Sequence, residues 1–141
     1  MSYVMHHVGL TCQDPIAVER WYTKHLGFTR GRVYDPGPGQ VVMIQAGGVY
    51  LELFKASQES PVPPPTQSGP EYNGWRHIAF LVDDVDANLA EMGDDAKITL
   101  GPLAMDQYIP GLRVAWVADP EGNIVELNQG YVDEDAPPPL D

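Results

Sequence analysis

Met5-His6-His7-Val8-Gly9-Leu10 returns as Trp75-Arg76-His77-Ile78-Ala79-Phe80, with His77 lying 70 residues after His7. In each copy an aspartate follows seven residues after the histidine, Asp14 and then Asp84. Gly48-Val49-Tyr50-Leu51-Glu52-Leu53 recurs in the same order as Gly122-Asn123-Ile124-Val125-Glu126-Leu127, now at an offset of 74. Both ends of one module are therefore duplicated, and the difference between the offsets is one short loop insertion. Each half carries a histidine near its start and a glutamate near its end. They are separated by 45 residues in the first half and 49 in the second.

Inside each half the local signals read strand, helix, then several strands. Tyr3–Cys12 is rich in β-formers, and Asp14-Pro15 supplies an N-cap followed by a proline tolerated at the first helical position. A helix over Pro15–Leu26 follows, with Ile16, Val18, Trp21, Tyr22 and Leu26 as an imperfect apolar stripe and Gly27 as its stop. The second half repeats this with Val85, Leu89 and Met92 on one helical face and Gly93 as the stop. Gln40–Ala46 and Val49–Phe54 read as strands joined at Gly47-Gly48. Leu112–Ala118 and Asn123–Asn128 read as strands joined by the turn Asp119-Pro120-Glu121-Gly122. The expectation is an α+β fold of two β-α-β-β-β modules, about residues 3–55 and 75–130, within one domain over 1–132. Residues 56–74 hold Pro61, Pro63, Pro64, Pro65 and Pro70 and predict an extended connector of the kind that often serves as a lid. Residues 133–141, acidic and carrying Pro137-Pro138-Pro139, predict a disordered tail.

Composition narrows the partners. Twenty acidic residues stand against eight Lys and Arg, a net charge of -12. Such a surface repels phosphate backbones and anionic lipid heads, so the expected partners are neither nucleic acid nor membrane. The 133–141 tail holds four of the acids, so the body still carries -12 + 4 = -8. Cys12 is the only cysteine, which excludes an intramolecular disulfide framework and a cysteine-cage metal site and fits a reducing cytoplasm. Met1–Leu10 lacks the charged and apolar regions of a signal peptide, and no stretch is apolar for long enough to span a bilayer. A cytoplasmic protein is expected.

On a strand through Tyr3–Cys12, alternation places His7 with Met5, Gly9 and Thr11, and His6 on the opposite face with Val4, Val8, Leu10 and Cys12. His77 shares its face with Trp75, Ala79 and Leu81, so each histidine has a small residue two positions on. Glu52 and Glu126 sit in otherwise apolar strands, where a carboxylate needs a partner. Taken singly, each of these residues reads more readily as a satisfied core histidine or an edge-strand glutamate facing water. Duplication at matched positions allows two His and two Glu to converge on one centre, an oxygen and nitrogen ligand set suited to Zn, Ni, Co, Mn or Fe(II).

These residues, duplicated and in order, resemble the vicinal oxygen chelate superfamily, which includes glyoxalase I, methylmalonyl-CoA epimerase, extradiol dioxygenases, and the fosfomycin and bleomycin resistance proteins. The resemblance spans residues 4 to 130 and includes Trp21-Tyr22, Leu26-Gly27-Phe28, Asp83-Asp84 and the Asp119–Asn123 turn. It implies paired modules forming an incompletely closed barrel, one divalent ion held by His7, Glu52, His77 and Glu126, and a homodimer; in some members the site combines residues of two chains.

The His, Glu, His, Glu order is similar to that of bacterial glyoxalase I. It implies a lyase or isomerase that chelates vicinal oxygens of a small carbonyl or thioester substrate and stabilises an enediolate during proton transfer. Glu52 or Glu126 would be the catalytic base, with Glu126 favoured by the resemblance. Thr11 stands where that enzyme anchors glutathione with an arginine, and Ala56 replaces its asparagine, so glutathione chemistry is not implied. Extradiol dioxygenases keep a tyrosine where Trp116 stands and a histidine upstream of it that this chain lacks. The alternatives are a non-catalytic drug-binding protein of bleomycin-resistance type, a ring-cleaving dioxygenase, and an epimerase-like enzyme, whose usual Gln at the Glu52 position is a conservative difference. Thr11, Tyr72, Trp75 and Asn128 are candidate substrate contacts. Arg76 and Arg113 are further candidates for an anionic substrate, and Cys12 reads as a small buried hydrophobe rather than a nucleophile.

Overall fold

The computed structural model describes residues 1–140, so Asp141, the last residue of the expected tail, lies outside the described residues. The chain forms two compact units, Met1–Pro64 with Asp119–Gly122, and Pro65–Ala118 with Asn123–Asp141. Unit 1 contains β1 (Val8–Cys12), α1 (Pro15–Leu26), β2 (Thr29–Asp35), β3 (Val41–Ala46) and β4 (Val49–Lys55). Unit 2 contains β5 (Ile78–Leu81), α2 (Val85–Met92), a 3-10 turn (Gly93–Asp95), β6 (Lys97–Ala104), β7 (Arg113–Ala118) and β8 (Ile124–Gln129). The sheets have the same plan, β1-β4-β3-β2 and β5-β8-β7-β6. In each, the strand before the helix runs parallel to the last strand and the remaining pairs are antiparallel. The α+β class and the duplicated β-α-β-β-β order are as the sequence predicts.

Both helices start and stop on the residues that predict them. The Asp14 carboxylate accepts from the Ala17 amide at 3.0 Å, the Asp84 carboxylate accepts from Ala87 at 2.9 Å, and Gly27 closes α1 in the left-handed region at φ 70°. Of the α1 stripe, Val18, Trp21 and Tyr22 are buried, while Ile16 and Leu26 are only half-buried. In unit 1 the wholly buried Val42, Ile44, Leu51 and Leu53 pair across β3 and β4. α1 lies against β4, β1 and β3. Each such aliphatic side chain contributes roughly 1.5–3 kcal/mol when removed from water. The alternate residues of the same strands, Met43, Tyr50, Glu52 and Phe54, fall on the opposite face.

The first strand is shorter than predicted: it begins at Val8, and residues 1–7 are not strand. The register explains this. Val8 pairs with Leu51, so Tyr3–Met5 would have to pair with residues 46–48, where the chain turns at Gly47-Gly48. Other strand ends differ from expectation by one residue, within ordinary fraying. Residues 56–74 carry no helix or strand. The β7–β8 turn, Asp119–Gly122, groups with unit 1 rather than with its own strands. Tyr22 donates its hydroxyl to Asp119 Oδ2 at 2.9 Å, and the amides of Gln13 and Asp14 donate to the Glu121 carboxylate.

Candidate metal centre

In unit 1, Gly9 pairs with Glu52 across the parallel β1–β4 ladder; in unit 2, Ala79 pairs with Glu126 across β5–β8. The two small residues that follow the histidines by two positions are thus the direct neighbours of the two glutamates. The geometry leaves each carboxylate free to meet the histidine. His7 Nε2 lies 3.8 Å from Glu52 Oε2, and His77 Nε2 lies 3.4 Å from Glu126 Oε1. The glutamate side chains are only 17% and 14% exposed, so each needs a partner.

In unit 2 the tautomer follows from the contacts. His77 Nδ1 lies 2.8 Å from the Ser68 carbonyl oxygen. A carbonyl only accepts, so Nδ1 carries a proton, and in the neutral ring the lone pair is on Nε2, toward Glu126. A carboxylate also only accepts. Two acceptors 3.4 Å apart repel unless a proton or a cation lies between them. A histidine whose second nitrogen donates to a backbone carbonyl is also the usual arrangement around a metal ligand. Glu126 Oε2 is held separately, accepting from Asn128 Nδ2 at 3.2 Å.

The Ser68 carbonyl reaches the ring because the connector lies tight against the chain at Arg76. Gly69, at φ 86°, has no room for a side chain: a Cβ there would sit 2.5 Å from the Arg76 carbonyl oxygen. Gln67, a non-glycine at φ 50°, offers its carbonyl to the Thr99 hydroxyl at 2.6 Å. Thr66 to Gly69 is therefore fastened within unit 2. In unit 1, His7 Nδ1 pairs with His6 Nδ1 at 2.8 Å, and the His6 ring stacks on Tyr50 with centroids 5.1 Å apart. This corrects the expectation that strand alternation separates the adjacent histidines. Both precede β1, so alternation does not govern them.

Two half-sites of one imidazole and one carboxylate fit a divalent ion of the zinc, nickel, cobalt, manganese or iron type. Among the described residues no group of three or more His, Cys, Asp or Glu is gathered for a metal ion, so the structure assembles the four predicted ligands as two pairs.

The remaining candidates divide. Asn128 touches Glu126 directly. Thr11 is exposed on β1 and pairs with Phe54, Tyr72 lies in the connector, and Trp75 lies between the connector and β5 and is 88% exposed. Arg76 donates to Ser68, and Arg113 forms a two-pronged pair with Asp86 at 2.7 and 2.9 Å. Cys12 is fully buried, and burial, with Glu121, Asp119 and Asp14 nearby, pushes its thiol up to about 12, which removes it as a nucleophile at neutral pH. Elsewhere in unit 1, Arg30 donates to both Glu19 oxygens and to Gln40, holding the Glu19 carboxyl below the usual carboxylate range.

Sequence reasoning missed Ser68, which acts through a backbone atom and so leaves no residue-type signal, and it assigned His6 to the wrong face. It read Trp116 only as a departure from the dioxygenase pattern. This tryptophan pairs with Glu126 across β7–β8, its ring lies 6.5 Å from that of His77, and its Nε1–H has no partner among the described residues.

Comparison with known proteins places these features in a wider set. The model of the Glyoxalase/Bleomycin resistance protein/Dioxygenase superfamily matches residues 4–127. The uncharacterized protein YaeR of Escherichia coli is 32% identical over 128 residues, which cover 87% of this chain and 93% of YaeR. A crystal structure of a glyoxalase family protein from Enterococcus faecalis is 28% identical with a TM-score of 0.67, covering 89% of this chain and 96% of that one. The fosfomycin resistance protein FosX from Listeria monocytogenes, solved as a mutant with Mn(II) and a dihydroxypropylphosphonic acid, shares the fold. It has a TM-score of 0.67 at 12% identity and covers 94% of each chain.

Proposed function

Because the chain belongs to the Glyoxalase/Bleomycin resistance protein/Dioxygenase superfamily, we propose that it is a divalent-metal-dependent lyase or isomerase of glyoxalase type acting on a small carbonyl or thioester substrate. The observation that carries this reading is the pair of matched half-sites, in which the same parallel register sets a glutamate beside a small residue and within reach of a histidine. Superfamily members bind divalent metals, as FosX does with Mn(II). His7, Glu52, His77 and Glu126 would hold the ion, its identity being one of Ni, Co, Zn, Mn or Fe. Bound there, it supplies Lewis acidity to neighbouring substrate oxygens and so acidifies the adjacent C–H.

The chain's own residues do the rest. Glu126 moves the proton at Oε1, the oxygen beside His77, while Asn128 steadies Oε2. Ser68 holds the His77 ring so that Nε2 faces the carboxylate. In unit 1, Glu52 stands in the matching place beside His7. A homodimer fits the exposed apolar residues beside and on the edge strand β5, Trp75 and Leu81 at 88% and 71% exposure. None of the described helices is long and apolar enough to cross a membrane, and the sole cysteine fits the reducing cytoplasm where we place the protein.

Hydroxyacetone, which offers two neighbouring oxygens and a C–H beside a carbonyl, tests the chemistry. With nickel-loaded protein in deuterated water, its CH₂OH protons should exchange faster than with metal-free protein, and Glu126→Gln should abolish the gain. Exchange no faster than in the metal-free protein, or undiminished in Glu126→Gln, would overturn the assignment.

A further inference from the structure

The face of β7 and β8 that carries Glu126 is otherwise apolar. Leu112, Val114, Trp116 and Ile124 form a buried cluster there, with Leu100, Met105 and Ile109 packed against it. Within this apolar surround two polar atoms are buried without a hydrogen-bond partner among the described residues, Trp116 Nε1 and Asn128 Oδ1. Asn128 is oriented by its own contact, because Nδ2 must be the atom that donates to the Glu126 carboxylate, which leaves Oδ1 as the orphan acceptor. Trp116, only 7% exposed, pairs with Glu126 across the strands, and Asn128 is two residues further along β8, so both flank the carboxylate on one face. Folded proteins pair nearly all their buried polar groups, and a site built to receive a polar ligand is a recognised exception.

The charge of the surround is also informative. Unit 2 holds three cations, Arg76, Lys97 and Arg113. Each is engaged elsewhere, with Ser68, the Asp94 carbonyl and Asp86. This face therefore offers one N–H donor and one C=O acceptor in an apolar setting, with no cation of its own unit to meet an anion.

We propose that Trp116 and Asn128 select the substrate, receiving beside its chelating oxygens a neutral group that both accepts and donates a hydrogen bond, as a hydroxyl does, in preference to a phosphonate, phosphate or carboxylate. The inference rests on the metal-dependent reading above, and its test separates the two. Zn(II)-loaded protein is titrated with three hydroxamates that chelate through the same vicinal oxygens. Acetohydroxamate ends in a methyl, glycolohydroxamate adds one hydroxyl, and phosphonoacetohydroxamate adds a phosphonate. Zinc uptake is read from the His77 ring resonances, and the added hydrogen bond from the indole N–H resonance of Trp116, assigned as the one missing in Trp116→Phe.

Glycolohydroxamate should bind roughly fivefold to tenfold more tightly than acetohydroxamate, as one or two neutral hydrogen bonds give, and should move the Trp116 indole signal. Trp116→Phe should lose that preference while still binding acetohydroxamate, which a merely structural defect would not spare. Equal binding of the first two probes, or tighter binding of the phosphonate, overturns the selection proposal with the metal reading intact. Failure of zinc to shift the His77 signals counts against the metal reading. In that case no chelated oxygens define the subsite, and the selection proposal falls together with the metal reading.

Discussion

Replacing Glu126 by glutamine changes one oxygen to an NH₂ and should move stability and metal affinity in opposite directions. In the metal-free protein His77 Nε2 and Glu126 Oε1 face each other as acceptors at 3.4 Å, with His77 Nδ1–H committed to Ser68. In Glu126→Gln the amide oxygen can keep the bond from Asn128 Nδ2, and the new NH₂ can donate to Nε2, so a repulsive contact becomes a hydrogen bond. One such bond contributes about 0.5–1.5 kcal/mol, which for a domain of this size raises Tm by roughly 2–6 °C. Metal affinity should fall at the same time by more than the roughly 10- to 100-fold that follows loss of an outer-shell partner, because a charged donor is removed. Urea unfolding at pH 8.5 is read with and without Zn(II), alongside a competition assay for the metal. A metal-free variant less stable than the wild type at unchanged m-value would refute the facing-acceptor geometry. Unchanged zinc affinity would remove Glu126 from the metal.

Further outcomes follow from three other contacts. Tyr22→Phe deprives the buried Asp119 carboxylate of a donor and should lose about 1.5–3 kcal/mol in urea, whereas Tyr131→Phe, whose bond to Asp133 is exposed, should change little; equal effects would refute the distinction. Burial and Asp119 hold the Tyr22 pKa well above its usual value, so its contribution is complete below about pH 10 and is lost as pH rises beyond that; Tyr22→Phe should lack this alkaline loss in pH-dependent melting. Gly69→Ala, strained at φ 86° and in collision with Arg76, should lose about 1–3 kcal/mol and weaken metal binding by roughly 10- to 100-fold through the displaced Ser68 carbonyl; a stable variant with full affinity would detach Ser68 from the site. Because Arg30 holds the Glu19 carboxyl below its unfolded value, the stability from this group is complete above about pH 5 and is lost on acidification. Glu19→Gln should therefore show a shallower acid loss in melts from pH 6 to 3, and parallel curves would refute it.

The parts of the fold legible in the sequence were those carried by single residues acting locally. Asp14, Asp84, Gly27 and Gly93 mark helix ends by chemistry that acts within a turn, and all four bound the helices as expected. The duplicated histidine and glutamate motifs mark residues that the fold brings together as two His–Glu pairs, and the small residues Gly9 and Ala79 are the glutamates' ladder partners. What failed depended on partners distant in sequence. The length of β1 is set by where β4 turns at Gly47-Gly48, so alternation through Tyr3–Cys12 placed His6 wrongly. The attachment of the Asp119–Gly122 turn to Tyr22, Gln13 and Asp14 joins residues about a hundred positions apart. The Ser68 contact depends on the backbone path of a proline-rich connector.

Metal content tests the central claim most directly. Protein purified without chelators and refilled in turn with Ni, Co, Zn, Mn and Fe(II) should retain about one ion per chain for at least one of these metals, as read by elemental mass spectrometry. The double variant His7→Ala/His77→Ala should retain none. Protein that keeps no ion after any refilling, or a double variant that keeps as much as the wild type, would contradict the assignment of the two half-sites to a metal.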